Sequence, residues 1–140
     1  MKPFPLSIPP VLRPYILDLH WDLDALHALL LPVAELPVAD LADHLELPFW
    51  AYQGKPFQLT PHQVAADPMR YHEQYARTLA ADLAYPLNVV RRPGGRVTIL
   101  DGVHRLLHAE LSGRVVVGVR VLEWGRLGEI AVQDSSGAPP

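Results

Sequence analysis

Val97-Thr98-Ile99-Leu100-Asp101-Gly102-Val103-His104-Arg105-Leu106-Leu107 passes from a β-branched apolar run to a helical one with only two residues between them. Val97 to Leu100 reads as a strand, while Val103, Leu106, Leu107 and Leu111 recur at helical spacing, so Asp101-Gly102 is a strand-to-helix junction. Anions are held easily at such a junction. The first four N–H groups of a helix have no partner within it, and the helix dipole places partial positive charge there. Gly102 lets a ligand approach the backbone, and His104 and Arg105 add donors and charge in the first turn. The structural alternative is a capped turn in which Asp101 bonds backbone amides and Gly102 only permits the bend. The adjacent His104 and Arg105 favour the anion reading.

On either side of the junction the pattern stays regular. Leu87 to Val90 and Val97 to Leu100 are joined through Arg91-Arg92-Pro93-Gly94-Gly95-Arg96, which reads as a hairpin with a basic turn. Gly113 stops the helix, and Val115 to Leu122 is apolar enough for a central strand covered on both faces. Upstream, Asp67-Pro68 is predicted to open the longest helix, with Met69, His72, Ala76, Leu79, Ala80 and Leu83 as its buried stripe and Pro86 as its close. Thr60-Pro61-His62-Gln63 carries a capping box.

The first half is punctuated by proline. Pro48 to Tyr52 reads as a packed loop or edge strand, and Leu36 to Leu41 as a short extended segment through Pro37. Leu41 and Leu45 are placed to share a helical face. Asp22 is a plausible N-cap for a helix carrying Leu23, Leu26, Leu29 and Leu30 on one face and ended by Pro32, and Tyr15 to Leu19 alternates weakly. From Gln133 the tail is small and polar, and disorder is expected there. There is no internal repeat.

Composition narrows the chemistry. A length of 140 residues suits one domain with a real core, and 49% hydrophobic residues fit a globular chain. A net charge of −3 does not imply a dominant nucleic-acid surface, though a local basic patch is compatible with it. With no cysteine, disulfides, thiolate metal sites and cysteine nucleophiles are excluded. The N-terminus lacks the apolar run of a signal peptide, and no stretch approaches the roughly 18 uninterrupted apolar residues of a membrane span, so a cytoplasmic protein with no membrane partner is expected.

The order strand, basic hairpin, strand ending in Asp101-Gly102-Val103-His104-Arg105, helix, Gly113 and strand to Leu122 resembles the ParB/sulfiredoxin superfamily, best over residues 84 to 122. The resemblance implies a single α+β domain at residues 36–126, with a small mixed sheet and packed helices. Residues 1–35 are expected to form a proline-rich extension packed on it, and residues 127–140 a tail that is disordered at its end. It also implies that Gly102, His104 and Arg105 bind nucleotide phosphates. Sulfiredoxin carries its catalytic cysteine where this chain has Val103, which excludes that activity. Partitioning ParB proteins have Gly-Glu-Arg-Arg in place of Gly102-Val103-His104-Arg105, and their helix-turn-helix domain has no room in this length, so a CTP-driven DNA clamp is not expected.

The motif Asp-Gly-X-His-Arg is similar to that of free-serine kinases using ATP or ADP and of ParB-like nucleases. By that resemblance Asp101 and His104 are the catalytic candidates, and Asp101 would orient Mg²⁺ or the attacking hydroxyl of a small-molecule acceptor. A glutamate from the first-strand region, Glu35 or Glu46, would act as base. The function implied is nucleotide-phosphate binding serving an ATP- or ADP-dependent phosphotransferase. The alternative is a non-catalytic regulatory or interaction module that binds DNA or a protein partner, and nuclease activity rests on the family label alone.

Other constellations have plainer readings beside them. His104 and His108 have metal-sharing spacing, but the zincin glutamate is missing and Arg105 would repel a cation. His20 and His27 with Asp18, Asp22 and Asp24 could form a ligand cluster, although capping carboxylates and surface histidines explain them more simply. Arg91, Arg92 and Arg96 could grip a phosphate backbone or form a solvated tip. Trp21, Phe49, Trp50 and Tyr52 could stack on a base, with core packing the plainer role. Arg77 and Asp82 could line the cleft, as could Glu46, or pair on the surface.

Overall fold

A computed structural model describes residues 8–17 and 19–132. In chain order these form α1 (Leu23–Ala28), β1 (Val33–Pro37), α2 (Val38–Leu41), β2 (Trp50–Tyr52), β3 (Lys55–Leu59), α3 (Pro61–Ala66), α4 (His72–Ala80), β4 (Leu87–Arg91), β5 (Val97–Asp101), α5 (Val103–Leu111) and β6 (Val116–Glu123). Single 3-10 turns follow α2 (Ala42–Glu46) and β6 (Trp124–Glu129). The order β1-β6-β4-β5 makes one mixed sheet, with β6 parallel to β4 and antiparallel to β1, and β4 antiparallel to β5. The class is α+β, one small domain with a mixed sheet.

Alternation along β6 divides two cores. Val117, Val119 and Val121 face Leu41, Leu45, Leu106 and Leu107 from α2, the turn after it and α5. Leu122 points the other way, onto Leu26 of α1 and Ile130. β6 is thus central and covered on both faces, as its apolar run predicts. The β4–β5 hairpin also forms as read, with Gly94 and Gly95 at positive φ in the turn. Thr60 caps α3 in a full capping box with Gln63, and Asp22 caps α1 by accepting from the Asp24 and Ala25 amides.

Several elements differ from the sequence expectation. α1 ends at Ala28, so of its four leucines only Leu26 is fully buried, while Leu30 is 95% exposed. Six residues make less than two turns, too few to aim four leucines at one core. The extended segment begins at Val33 and stops at Pro37, after which Val38–Leu41 is already helical. β2 pairs with β3, which the sequence reading missed; Gln53 and Gly54 both have positive φ, the conformation of a tight hairpin turn.

α4 starts at His72 rather than Pro68, because the Asp67 carbonyl and carboxylate take the Tyr71 and Arg70 amides into a turn. Most of the expected stripe faces solvent, with Met69 89% and Leu79 49% exposed, and only Leu83 of it packs against the core. Tyr71, Gln74, Tyr75 and Thr78 face inward instead. Tyr15 and Ile16 close a turn on Leu12, not a strand. Asp18 and the tail from Gln133 lie outside the described residues. No helix among the described residues is long and apolar enough to cross a membrane.

Candidate functional site

Asp101 ends β5 opposite Asn88 of β4, and Asn88 lies opposite Arg120 of β6. Directly opposed residues share a sheet face, so the three form a polar row across the sheet. Asn88 Nδ2 donates to Asp101 Oδ2 (3.2 Å), and Arg120 Nη1 donates to Asn88 Oδ1 (2.5 Å). Arg120 Nη2 continues to the carbonyls of Leu29 (2.5 Å) and Leu26 (3.3 Å) at the end of α1. Carbonyls at the C-terminal end of a helix suit a cation, although that of Leu26 also accepts the Leu29 amide.

Arg105 reaches the same row from the first turn of α5. Its Nη2 donates to Asp101 Oδ2 (3.0 Å) and its Nη1 to the Pro86 carbonyl (2.5 Å). His27 Nε2 lies 3.4 Å from Asp101 Oδ2, brought there by α1. Around this row His27, Tyr85, Pro86, Asn88, Arg105 and Arg120 line a cleft of about 360 Å³. Arg105 has the Asp101 carboxylate as its partner, while Arg120 is held by neutral acceptors alone, which leaves an excess of positive charge. The Arg105 and Asp101 side chains are only 19% and 28% exposed, so that charge is screened less than it would be on the surface. The first turn of α5 has no side-chain cap, as an anion-binding helix start requires.

Gly102 is needed for a reason other than ligand approach. Its φ is +120°, and a Cβ there would lie 2.9 Å from Leu87 Cγ and 3.3 Å from Leu87 Cα. The bend is pressed against β4.

His104 does not join Arg105. Successive helical side chains diverge by about 100°, and the His104 ring stacks on Trp50 with centroids 4.2 Å apart and a 10° interplanar angle. Its Nε2 is 2.8 Å from Gln74 Oε1. Burial, helped by the charge of Arg77 and opposed by Asp101, lowers its pKa to about 4. The expected His104–Arg105 grip is therefore split between a neutral packed ring and a cleft cation.

The other expected cleft residues also lie elsewhere. Glu46 pairs with His62, whose Nε2 is 2.6 Å from Glu110 Oε1. Burial depresses the His62 pKa, but hydrogen bonds and charge from Glu46 and Glu110 outweigh it and raise the pKa overall. Asp82 accepts the Ala84 amide (2.9 Å) in a local turn. Arg77 lines a separate hollow with Tyr52, Arg70 and Tyr71. Glu35, opposite Gly118 on β1, shares the sheet face of Arg120 and Asn88. His108 Nδ1 bonds the Ala81 carbonyl, and His27 turns to Asp101 while Asp22 caps α1, so neither histidine cluster assembles. Among the described residues no group of three or more His, Asp or Glu side chains is arranged to hold a metal.

Arg120 and Asn88 were missed. Both are polar residues inside apolar strand runs, and buried polar groups must be paired, so Arg120 in the most apolar strand was the available signal. No known family model matches this chain, and no curated protein matches it.

Proposed function

We propose that the cleft binds the phosphate of a nucleotide, ATP or ADP, in a cytoplasmic domain of ParB/sulfiredoxin type. The observation carrying this reading is the convergence of Arg105 and Arg120 on one cleft beside the uncapped start of α5, with Asp101 behind Arg105 rather than in the lining. Guanidiniums held by Asp101, Asn88 and backbone carbonyls are preorganised for phosphate oxygens. Tyr85, 66% exposed on the rim, offers a face to a base.

The donor set does not make a Mg²⁺ site by itself. Asp101 Oδ2 is shared by Asn88, Arg105 and His27, and no carboxylate is among the residues that line the cleft. Phosphoryl transfer to a small molecule is the reaction such a site would serve, and Glu35, on the sheet face of Arg120 and Asn88, is the base candidate, since Glu46 is paired with His62. A non-catalytic regulatory module is the second reading, favoured by the engagement of Asp101 with three N–H groups.

Thermal unfolding with ATP, ADP or inorganic phosphate, with and without EDTA, tests the binding. Ligand at about 100 times its Kd contributes about 2.7 kcal/mol, a rise of several degrees. Arg105→Ala is expected to abolish that rise, and EDTA to leave it in place. No shift with any nucleotide sinks the reading. Turnover of ATP in the presence of candidate acceptors separates phosphotransferase from non-catalytic module.

A further inference from the structure

The tip of the β4–β5 hairpin lies at the opposite end of the strands from the cleft, four residues along β4 from Asn88, or about 13 Å at the usual strand rise. There Arg92 and Arg96 flank Pro93-Gly94-Gly95, with the Arg92 amide bonded to the Arg96 carbonyl (2.7 Å). Neighbouring arginines have carboxylate partners: Arg91 pairs with Glu123 and Arg126 with Glu129. Neither Arg92 nor Arg96 forms an ion pair among the described residues.

Aromatic faces hold them instead. The Arg92 guanidinium lies 5.2 Å from the centroid of Trp124, and that of Arg96 lies 5.5 Å from the centroid of Tyr15. Arg92 Nε donates to Thr98 Oγ1 (3.2 Å), and its Nη2 is enclosed with no acceptor among the described residues. With Pro14 and Gly94 the two arginines line an open hollow of about 420 Å³. The nearby carboxylates are engaged, Asp43 by the Tyr15 hydroxyl (2.8 Å) and Glu123 by Arg91 (3.1 Å).

Two fixed like charges with no counterion repel each other, and an anion between them removes that cost. Burial and the charge of Arg96 already lower the Arg92 pKa. Contact with the Trp124 and Tyr15 rings restrains both guanidiniums, so less side-chain freedom is lost on binding. The hollow is open and sits on a projecting turn, so it suits a phosphate carried on a polymer better than one that must be enclosed.

We propose that the hairpin tip is a second anion site, independent of the cleft, which takes the phosphodiester backbone of a nucleic-acid strand between Arg92 and Arg96. Backbone contact carries no base specificity, and two neutralised phosphates set the salt dependence.

Fluorescence anisotropy with a labelled 20-nucleotide strand and a 20-base-pair duplex tests it, from 20 to 150 mM salt. Expected is weak binding, tolerant of sequence, with log K falling against log salt at a slope of about −1.4 for the single strand and −1.8 for the duplex. Arg92→Gln with Arg96→Gln keeps an N–H donor at the Nε position beside Thr98 and should remove binding while thermal unfolding remains cooperative. Arg96→Gln alone, which leaves the Thr98 bond untouched, should halve the slope and serves if the double variant fails to fold. Arg105→Ala should leave oligonucleotide binding unchanged. The proposal is overturned by absence of binding at 20 mM salt, by binding that survives Arg96→Gln unaltered, or by displacement with inorganic phosphate at millimolar concentration and matched ionic strength, which would make free phosphate the ligand.

Discussion

Replacing Gly102 with alanine separates two reasons for a glycine at the junction. If the residue serves only ligand approach, the variant should fold normally and lose anion affinity. The geometry predicts a larger effect on folding. At φ +120° an L side chain is strained by about 1–2 kcal/mol. The added Cβ would sit 2.9 Å from Leu87 Cγ and 3.3 Å from Leu87 Cα, and Leu87 is only 2% exposed, so it cannot swing aside into solvent. Overpacking of that kind costs about 1–3 kcal/mol. The sum is about 2–5 kcal/mol, or roughly 6–20 °C in Tm at about 3–4 °C per kcal/mol for a domain of this size.

Gly113→Ala is the matched control. Its φ is +75° but nothing lies within 4 Å of the added carbon, so only the backbone cost of about 1 kcal/mol applies. Denaturant or thermal unfolding of both variants measures the difference. Leu87→Ala in the Gly102→Ala background should recover at least about 1 kcal/mol relative to additivity, because it removes the clashing Cγ. Equal destabilisation by the two glycine substitutions, or strict additivity in the double variant, would refute contact with Leu87 as the reason for Gly102.

Arg120→Met should destabilise by about 2–4 kcal/mol, since buried Asn88 loses the donor to its Oδ1 and the carbonyls at the end of α1 lose theirs, and it should also weaken phosphate binding in the cleft. His104 titrates near pH 4 when folded and near 6.5 when unfolded, so the unfolded chain takes up the proton first as pH falls. Its stabilisation is therefore complete above about pH 6.5 and is lost toward pH 4, by at most about 3 kcal/mol before screening by solvent is discounted. His104→Phe should flatten that limb of a Tm-against-pH curve, part of which remains because burial also lowers the His44 pKa. His62 has the opposite sign. Its raised pKa gives stability that is full below about 6.5 and lost as pH rises through the folded value, worth under about 1 kcal/mol for a half-exposed group, and Glu110→Gln should reduce it.

Elements with strictly local causes were legible in the chain. The α3 capping box, the Asp22 cap, the basic hairpin and the β5–α5 turn each depend on residues within a few positions of one another. Elements selected by partners were not. The outward Met69 before α4 and Leu79 within it are as apolar as a core stripe, and the inward face contains Gln74 because His104 and the Ala51 carbonyl are there to receive it. β3 contains Pro56 and ends beside a capped helix, so its pairing with β2 depends on the turn at Gln53 and Gly54.

The site divides in the same way. From the residues alone, Asp101 and Arg105 could be placed together, four apart across a strand-to-helix turn, since helical geometry brings such pairs within reach. That His104 would leave them, and that His27, Asn88 and Arg120 would arrive from 74, 13 and 19 positions away, was decided by sheet register and by the docking of α1. A local pattern specifies what a turn can bind, because the amides and dipole belong to the turn itself. The groups that complete the cleft come from distant strands and from α1, and only packing fixes which faces those elements present.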